Sequence, residues 1–124
     1  MPRVLVIDDH AEIREFLRET LEAAGYDVAV APNGREGLEI QRRQPADLVI
    51  TDIFMPEQEG LETIEELSRQ SPRPKIIAMS GGGRLRTLDY LPAAQEFGAD
   101  RAIGKPFDYE TMLATVREVL AERD

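Results

Sequence analysis

Two hydrophobic periods alternate along this chain from end to end, and that alternation restricts the fold more than any other feature. Short apolar runs stand at Val4-Leu5-Val6-Ile7, Val28-Ala29-Val30, Leu48-Val49-Ile50, Ile76-Ile77-Ala78-Met79 and, most weakly, Ala102-Ile103. They are rich in β-branched residues and uninterrupted by polar ones, as strands buried on both faces should be. Between them the apolar spacing changes to that of helices. Ile13, Phe16, Leu17, Thr20, Leu21 and Ala24 make an i, i+3, i+4 stripe, with Gly25 placed to end the helix. Asn33 and Glu36 form a capping box for a second helix that must stop before Pro45. Leu61, Ile64 and Leu67 mark a third. The segment from Arg84 to Phe97 is a candidate fourth, which Pro92 must either start or kink. The last helix begins after Asp108 and buries Met112, Leu113, Val116 and Leu120.

Strand and helix in alternation predict an α/β fold, a parallel sheet with helices on both faces. A chain of 124 residues hides about two thirds of its unfolded surface, enough for one core, and residues 1–124 read as one domain. The sequence has no cysteine, which excludes a disulfide framework, a Cys-type zinc site and a thiol nucleophile. No apolar run approaches the roughly 20 residues of a membrane span, and Met1-Pro2-Arg3-Val4 does not open a signal peptide. A cytoplasmic protein is expected. Lys and Arg number 15 against 24 Asp and Glu, a net charge of -9. That sign repels nucleic acid and anionic membrane alike and suits a basic protein partner or a bound cation.

Parallel sheets of this kind bind ligands at the carboxyl ends of their strands. Here those ends carry Asp8-Asp9, Asp52, Ser80 and, shortly after the last strand, Lys105-Pro106; only the second strand ends blandly, at Ala31-Pro32. Three carboxylates brought together repel one another, and a divalent cation resolves that repulsion. An all-oxygen donor set with water positions to spare suits Mg²⁺. The Lys105 ammonium and the Ser80 hydroxyl can grip an anionic oxygen at the same point, while a carboxylate serves as nucleophile: together, the needs of phosphoryl transfer. Taken singly the residues have plainer uses. Asp9, three residues before Glu12, is a helix N-cap; Asp52 opens a turn toward Met55-Pro56; Lys105 is a surface lysine. Their coincidence at the strand ends favours the site.

The runs Val6-Ile7-Asp8-Asp9, Asp47-Leu48-Val49-Ile50-Thr51-Asp52-Ile53-Phe54-Met55-Pro56, Ala78-Met79-Ser80-Gly81 and Gly104-Lys105-Pro106-Phe107 resemble, in order and spacing, the signature segments of response-regulator receiver domains. The resemblance covers essentially the whole chain. It implies a flavodoxin-like five-stranded sheet of order 2-1-3-4-5 with five helices. It further implies that Asp52 accepts a phosphoryl group from a histidine kinase or histidine phosphotransfer protein. Asp8, Asp9, Asp52 and the backbone carbonyl of Phe54 would hold Mg²⁺, Asp8 through water. Ser80 would be the switch hydroxyl and Lys105 the phosphoryl-binding lysine, joined to Pro106 by a cis bond. On this reading the chain is not an enzyme but a stand-alone receiver, slowly dephosphorylating itself and signalling by protein contact or onward transfer.

The family's aromatic residue three positions before the lysine is here Ala102, and Gly81-Gly82-Gly83 follows the switch position. Readout through ordering of residues 81–86 is therefore expected in place of ring rotation. His10, the one histidine, follows the acid pair and could serve as a metal ligand or general base, but it is expected to point outward from the strand-to-helix junction. Phe16, Leu17 and Leu21 belong to the core, Arg14 and Arg18 are exposed toward a kinase, and Tyr90 and Tyr109 are candidates for a partner surface. Two rivals share the acidic cluster. One, a Mg²⁺-dependent phosphohydrolase, would need a second acid two residues after its nucleophile, where Asp52-Ile53-Phe54 has none. The other is a docking scaffold that is never phosphorylated.

Overall fold

The computed structural model describes residues 2–53, 60–80, 95, 98–104 and 107–122, with Leu61 and Ser80 described in their backbone only. In chain order the elements are β1 (Arg3–Ile7), α1 (Ala11–Ala23), β2 (Asp27–Ala31), α2 (Gly34–Arg43), β3 (Leu48–Asp52), α3 (Gly60–Ser68), β4 (Lys75–Ser80), β5 (Arg101–Gly104) and α4 (Tyr109–Ala121). The strands form one parallel sheet of order β2-β1-β3-β4-β5, the flavodoxin-like arrangement. Four of the five expected helices fall among the described residues. The segment from Arg84 to Phe97, with Pro92, lies outside them but for Gln95, as do the glycines after Ser80.

Strand pleating divides the core in two. Leu5, Ile7, Val49, Ile76 and Ala78 face one side, packed with Ile64 and Leu67 of α3 and Leu38 and Ile40 of α2. Val4, Val6, Leu48, Ile50, Ile77 and Met79 face the other, against Leu17 and Leu21 of α1 and Met112, Val116 and Val119 of α4. Successive side chains on a strand point to opposite faces, so each continuous apolar run feeds both cores. Burial on both faces holds for the central strands β1, β3 and β4; β2 and β5 are edges and only partly buried.

The helix ends follow local chemistry. Asn33 Oδ1 accepts from Glu36 N at 2.8 Å, closing the expected capping box of α2, and Asp108 Oδ1 accepts from Thr111 N at 2.7 Å at the start of α4. At the end of α1, Gly25 adopts φ +102°, while Tyr26 N bonds Leu21 O and Gly25 N bonds Glu22 O. This is a Schellman closure, and its left-handed residue strongly favours glycine.

Two expectations are corrected, and the plainer use of Asp9 is set aside. The N-cap of α1 is His10, not Asp9. Phe16 is not core: it is 39% exposed, because it stands at the margin of the stripe, where its ring lies 6.4 Å from that of Phe107 at a 45° tilt. Arg14 is not free on the surface but half-buried, its Nη1 donating to the Asp8 carbonyl at 2.7 Å. Arg18 does remain at the surface, where Glu15 holds its guanidinium at 2.5 Å and raises its pKa further. Among the described residues no helix is long and apolar enough to cross a membrane.

Candidate functional site

The register of the central strands sets the acids side by side. Ile7 of β1 pairs with Thr51 of β3, so the next residues, Asp8 and Asp52, sit together at the carboxyl end of the sheet. Asp8 continues the alternation of Val4 and Val6, and Asp52 that of Leu48 and Ile50; both rows pack on the α1 side. Asp52 is itself in register with Met79, and Ile53 N donates to Met79 O at 2.8 Å. Both carboxylates are buried.

Moving the N-cap to His10 has a chemical result. Asp8 Oδ1, not Asp9, receives a backbone N–H of the turn, from His10 at 2.8 Å. The Asp9 carboxylate thus takes no part in capping α1. Its Oδ1 is buried and makes no hydrogen bond among the described residues, although His10 Nδ1 stands 3.1 Å away. A buried carboxylate oxygen left without a donor is costly, and a cation is the partner that satisfies it.

One ligand atom from each of Asp8, Asp9, His10 and Asp52 lies within 4.8 Å of every other. Three of the four donors are carboxylate oxygens, the set expected for a hard divalent cation such as Mg²⁺. With the orphaned Asp9 oxygen, the residues present fit that ion. His10 is the member the sequence reading placed elsewhere. Its ring is 64% exposed, yet Nδ1 turns back to 3.1 Å from both Asp8 Oδ1 and Asp9 Oδ1. Its adjacency to the acid pair was the available signal; the backbone angles at the N-cap, φ −95° and ψ 115°, supply the direction.

The other expected site residues are placed unevenly. Ser80 ends β4 in register with Gly104 of β5, at the same end of the sheet as Asp52. Phe54, Lys105 and Pro106 lie outside the described residues, and so does the expected cis bond. The cis X-Pro bond among the described residues joins Ser71 to Pro72. Ala102, in register with Ala78, packs partly buried on the core. Tyr109 is exposed at the first turn of α4, while Glu62, Glu65 and Glu66 line an outer face of α3, where Arg69, just past the helix, pairs with Glu65 at 3.1 Å.

Residues 4–117 match the family model described as "Response regulator receiver domain". Among curated proteins, the chain is 37% identical over 122 residues to a "Probable transcriptional regulator ycf27" of Porphyridium aerugineum, an alignment covering 98% of this chain and 49% of that one. The chain spans about half the length of the curated relatives it matches. Among solved structures, chemotaxis protein CheY4 of Vibrio cholerae superposes with a TM-score of 0.82 at 31% identity, covering 96% of this chain and 98% of that one. A response regulator receiver domain protein of Clostridium thermocellum superposes with a TM-score of 0.88 at 28% identity, covering 98% and 95%.

Proposed function

The chain belongs to the response regulator receiver family, and from that membership we propose that Asp52 is its phosphoacceptor, charged by a histidine kinase or a histidine phosphotransfer protein. Receiver domains are signalling modules, so transfer onto Asp52 is the input of a switch and not the turnover of a metabolite. The observation that carries the proposal is the convergence of Asp8, Asp9 and Asp52 at one end of the sheet, with their ligand atoms within 4.8 Å.

In the proposed reaction an Asp52 carboxylate oxygen attacks the phosphorus of a phosphohistidine. The new O–P bond forms as the P–N bond breaks, and the imidazole leaves with the electron pair. Bound Mg²⁺ would neutralise charge on the oxygens in transfer. Asp9 and Asp52 would hold that ion directly and Asp8 through water, with the Phe54 carbonyl as a further oxygen donor. The backbone of β3, bonded on both sides within the sheet, fixes the position of the nucleophile. Ser80, by its hydroxyl, and Lys105, by its ammonium, take the phosphoryl oxygens and bias the loops that follow their strands. Water later cleaves the acyl phosphate.

We place the whole of residues 1–124 in this receiver and its work in the cytoplasm. The phosphorylated form is read by contact with another protein or by onward transfer. Two settings fit the same input chemistry: a receiver acting alone, which the solved chains above match in length, and the receiver part of a transcriptional regulator, as the longer curated relatives are named. In either setting, a charge of -9 makes these residues a poor contact for a phosphate backbone.

The test is direct. After incubation with Mg²⁺ and acetyl phosphate or phosphoramidate, intact mass should show one added phosphoryl group on the wild type and none on Asp52→Asn. Labelling of the variant at equal yield would overturn the assignment, and turnover of small phosphate esters would turn the reading toward a hydrolase.

A further inference from the structure

We propose that His10 gives the acidic pocket a nitrogen ligand, so that it takes zinc or another first-row transition dication in competition with magnesium. The inference rests on the reading of Asp8, Asp9 and Asp52 as a cation site and adds to it the choice of ion.

Three observations point to His10. Its Nδ1 stands 3.1 Å from Asp8 Oδ1 and 3.1 Å from Asp9 Oδ1, and it shares the 4.8 Å cluster with Asp52. Metal–ligand bonds of about 2.1 Å put neighbouring ligand atoms about 3 Å apart and opposite ones about 4.2 Å apart. The two short spacings therefore already suit adjacent positions around one ion. Second, the ring does not cap α1; the hydrogen bond it makes among the described residues joins Nδ1 and Asp8 Oδ1 at 3.1 Å. His10 makes no side-chain cap hydrogen bond, and its backbone N–H already serves Asp8. Third, the atom facing Nδ1 across 3.1 Å is the buried Asp9 oxygen that lacks a hydrogen bond among the described residues.

The donor set then decides selectivity. Mg²⁺ prefers oxygen and keeps its waters, so it gains little from an imidazole. Zinc and nickel accept imidazole readily and lie well above magnesium in affinity for mixed nitrogen and oxygen sites. Because both kinds of ion need Asp9 and Asp52, they exclude one another, and zinc would displace the ion that supports phosphoryl transfer.

The chain contains a single histidine, which makes the test unambiguous in tag-free protein. Zinc and magnesium are titrated separately by calorimetry into the wild type and His10→Ala, and the imidazole ¹⁵N resonances of labelled wild type are followed. Zinc affinity should fall by about tenfold or more in the variant, with magnesium affinity changed by less than about twofold. The Nδ1 resonance should move far more with zinc, through direct coordination, than with magnesium, which alters only the carboxylates beside it. Equal zinc affinities and an unmoved resonance, with magnesium still bound, would overturn this inference and leave the proposed function standing. Zinc held through His10 in a protein that never binds magnesium would support the inference and count against the proposed function.

Discussion

Gly37 of α2 meets Ile7 of β1 so closely that a Cβ added to the glycine would stand 2.3 Å from Ile7 Cδ1 and 2.7 Å from Ile7 Cγ1. Both residues are buried, and Ile7 directly precedes the acid pair. Alanine for glycine inside a helix ordinarily gains about 0.5–1 kcal/mol. Here the sign reverses: Gly37→Ala should cost about 1–3 kcal/mol through overpacking. Urea unfolding measures it. Ile7→Ala removes both Cδ1 and Cγ1, so the double variant should be more stable than the sum of the two single effects; strict additivity would mean that the contact is not the cause.

Asp9→Asn should act with opposite signs in two conditions. In chelator, removing one of three clustered negative charges should raise the melting temperature by a few degrees, about 1 kcal/mol. With Mg²⁺ at about 100 times its dissociation constant the wild type gains about 2.7 kcal/mol by linkage, and the variant much less. Thermal unfolding with EDTA and then with excess Mg²⁺ reads both. An equal Mg²⁺ gain in the two proteins would remove Asp9 from the cation site.

Arg14 holds the Asp8 carbonyl from one turn along α1, through a charge-assisted bond of 2.7 Å. Arg14→Ala should destabilise the fold by about 1–2 kcal/mol and, by loosening Asp8, weaken Mg²⁺ binding by about three- to tenfold. Calorimetric titration beside the rate of labelling by acetyl phosphate tests this; a variant with wild-type Mg²⁺ affinity would reduce Arg14 to a prop for the helix.

Asp108 carries a pH dependence. The Thr111 backbone N–H, donating to its carboxylate, holds the Asp108 pKa below the usual aspartate value. A depressed folded-state pKa means stabilisation that is present above the unfolded value and is lost as pH falls through the folded one. Asp108→Asn keeps an acceptor oxygen and removes the titration. The stability difference between wild type and variant should therefore be constant near neutrality and shift against the wild type in acid. A difference that stays flat down to about pH 2 would contradict the cap as its source.

The sheet was legible because its strands are apolar without interruption and its helices carry explicit start and stop residues, Asn33, Asp108 and Gly25 among them. The acid cluster was legible for a related reason: strand ends are where a parallel sheet gathers chemistry, and Asp8, Asp9 and Asp52 follow apolar runs directly. What stayed hidden depended on contacts distant in sequence or on a single backbone angle. Asp9 satisfies the spacing of a capping box as well as Asn33 does, yet the chain turns one residue later, at His10. Stripe spacing gives Phe16 a direction around its helix but not the extent of the neighbours beside it, so its exposure and its approach to Phe107 could not be read. The same turn folds the ring of His10 back onto the acids it was expected to leave.

Because Asp8 and Asp52 stand at the tips of adjacent strands locked rung by rung into the sheet, the distance between them is dictated from the interior. A visiting protein that tugs at the periphery has no lever on that distance short of melting the middle of the molecule. Substitutions on the outer helix faces can thus change which partner is greeted while the acidic floor beneath keeps its dimensions.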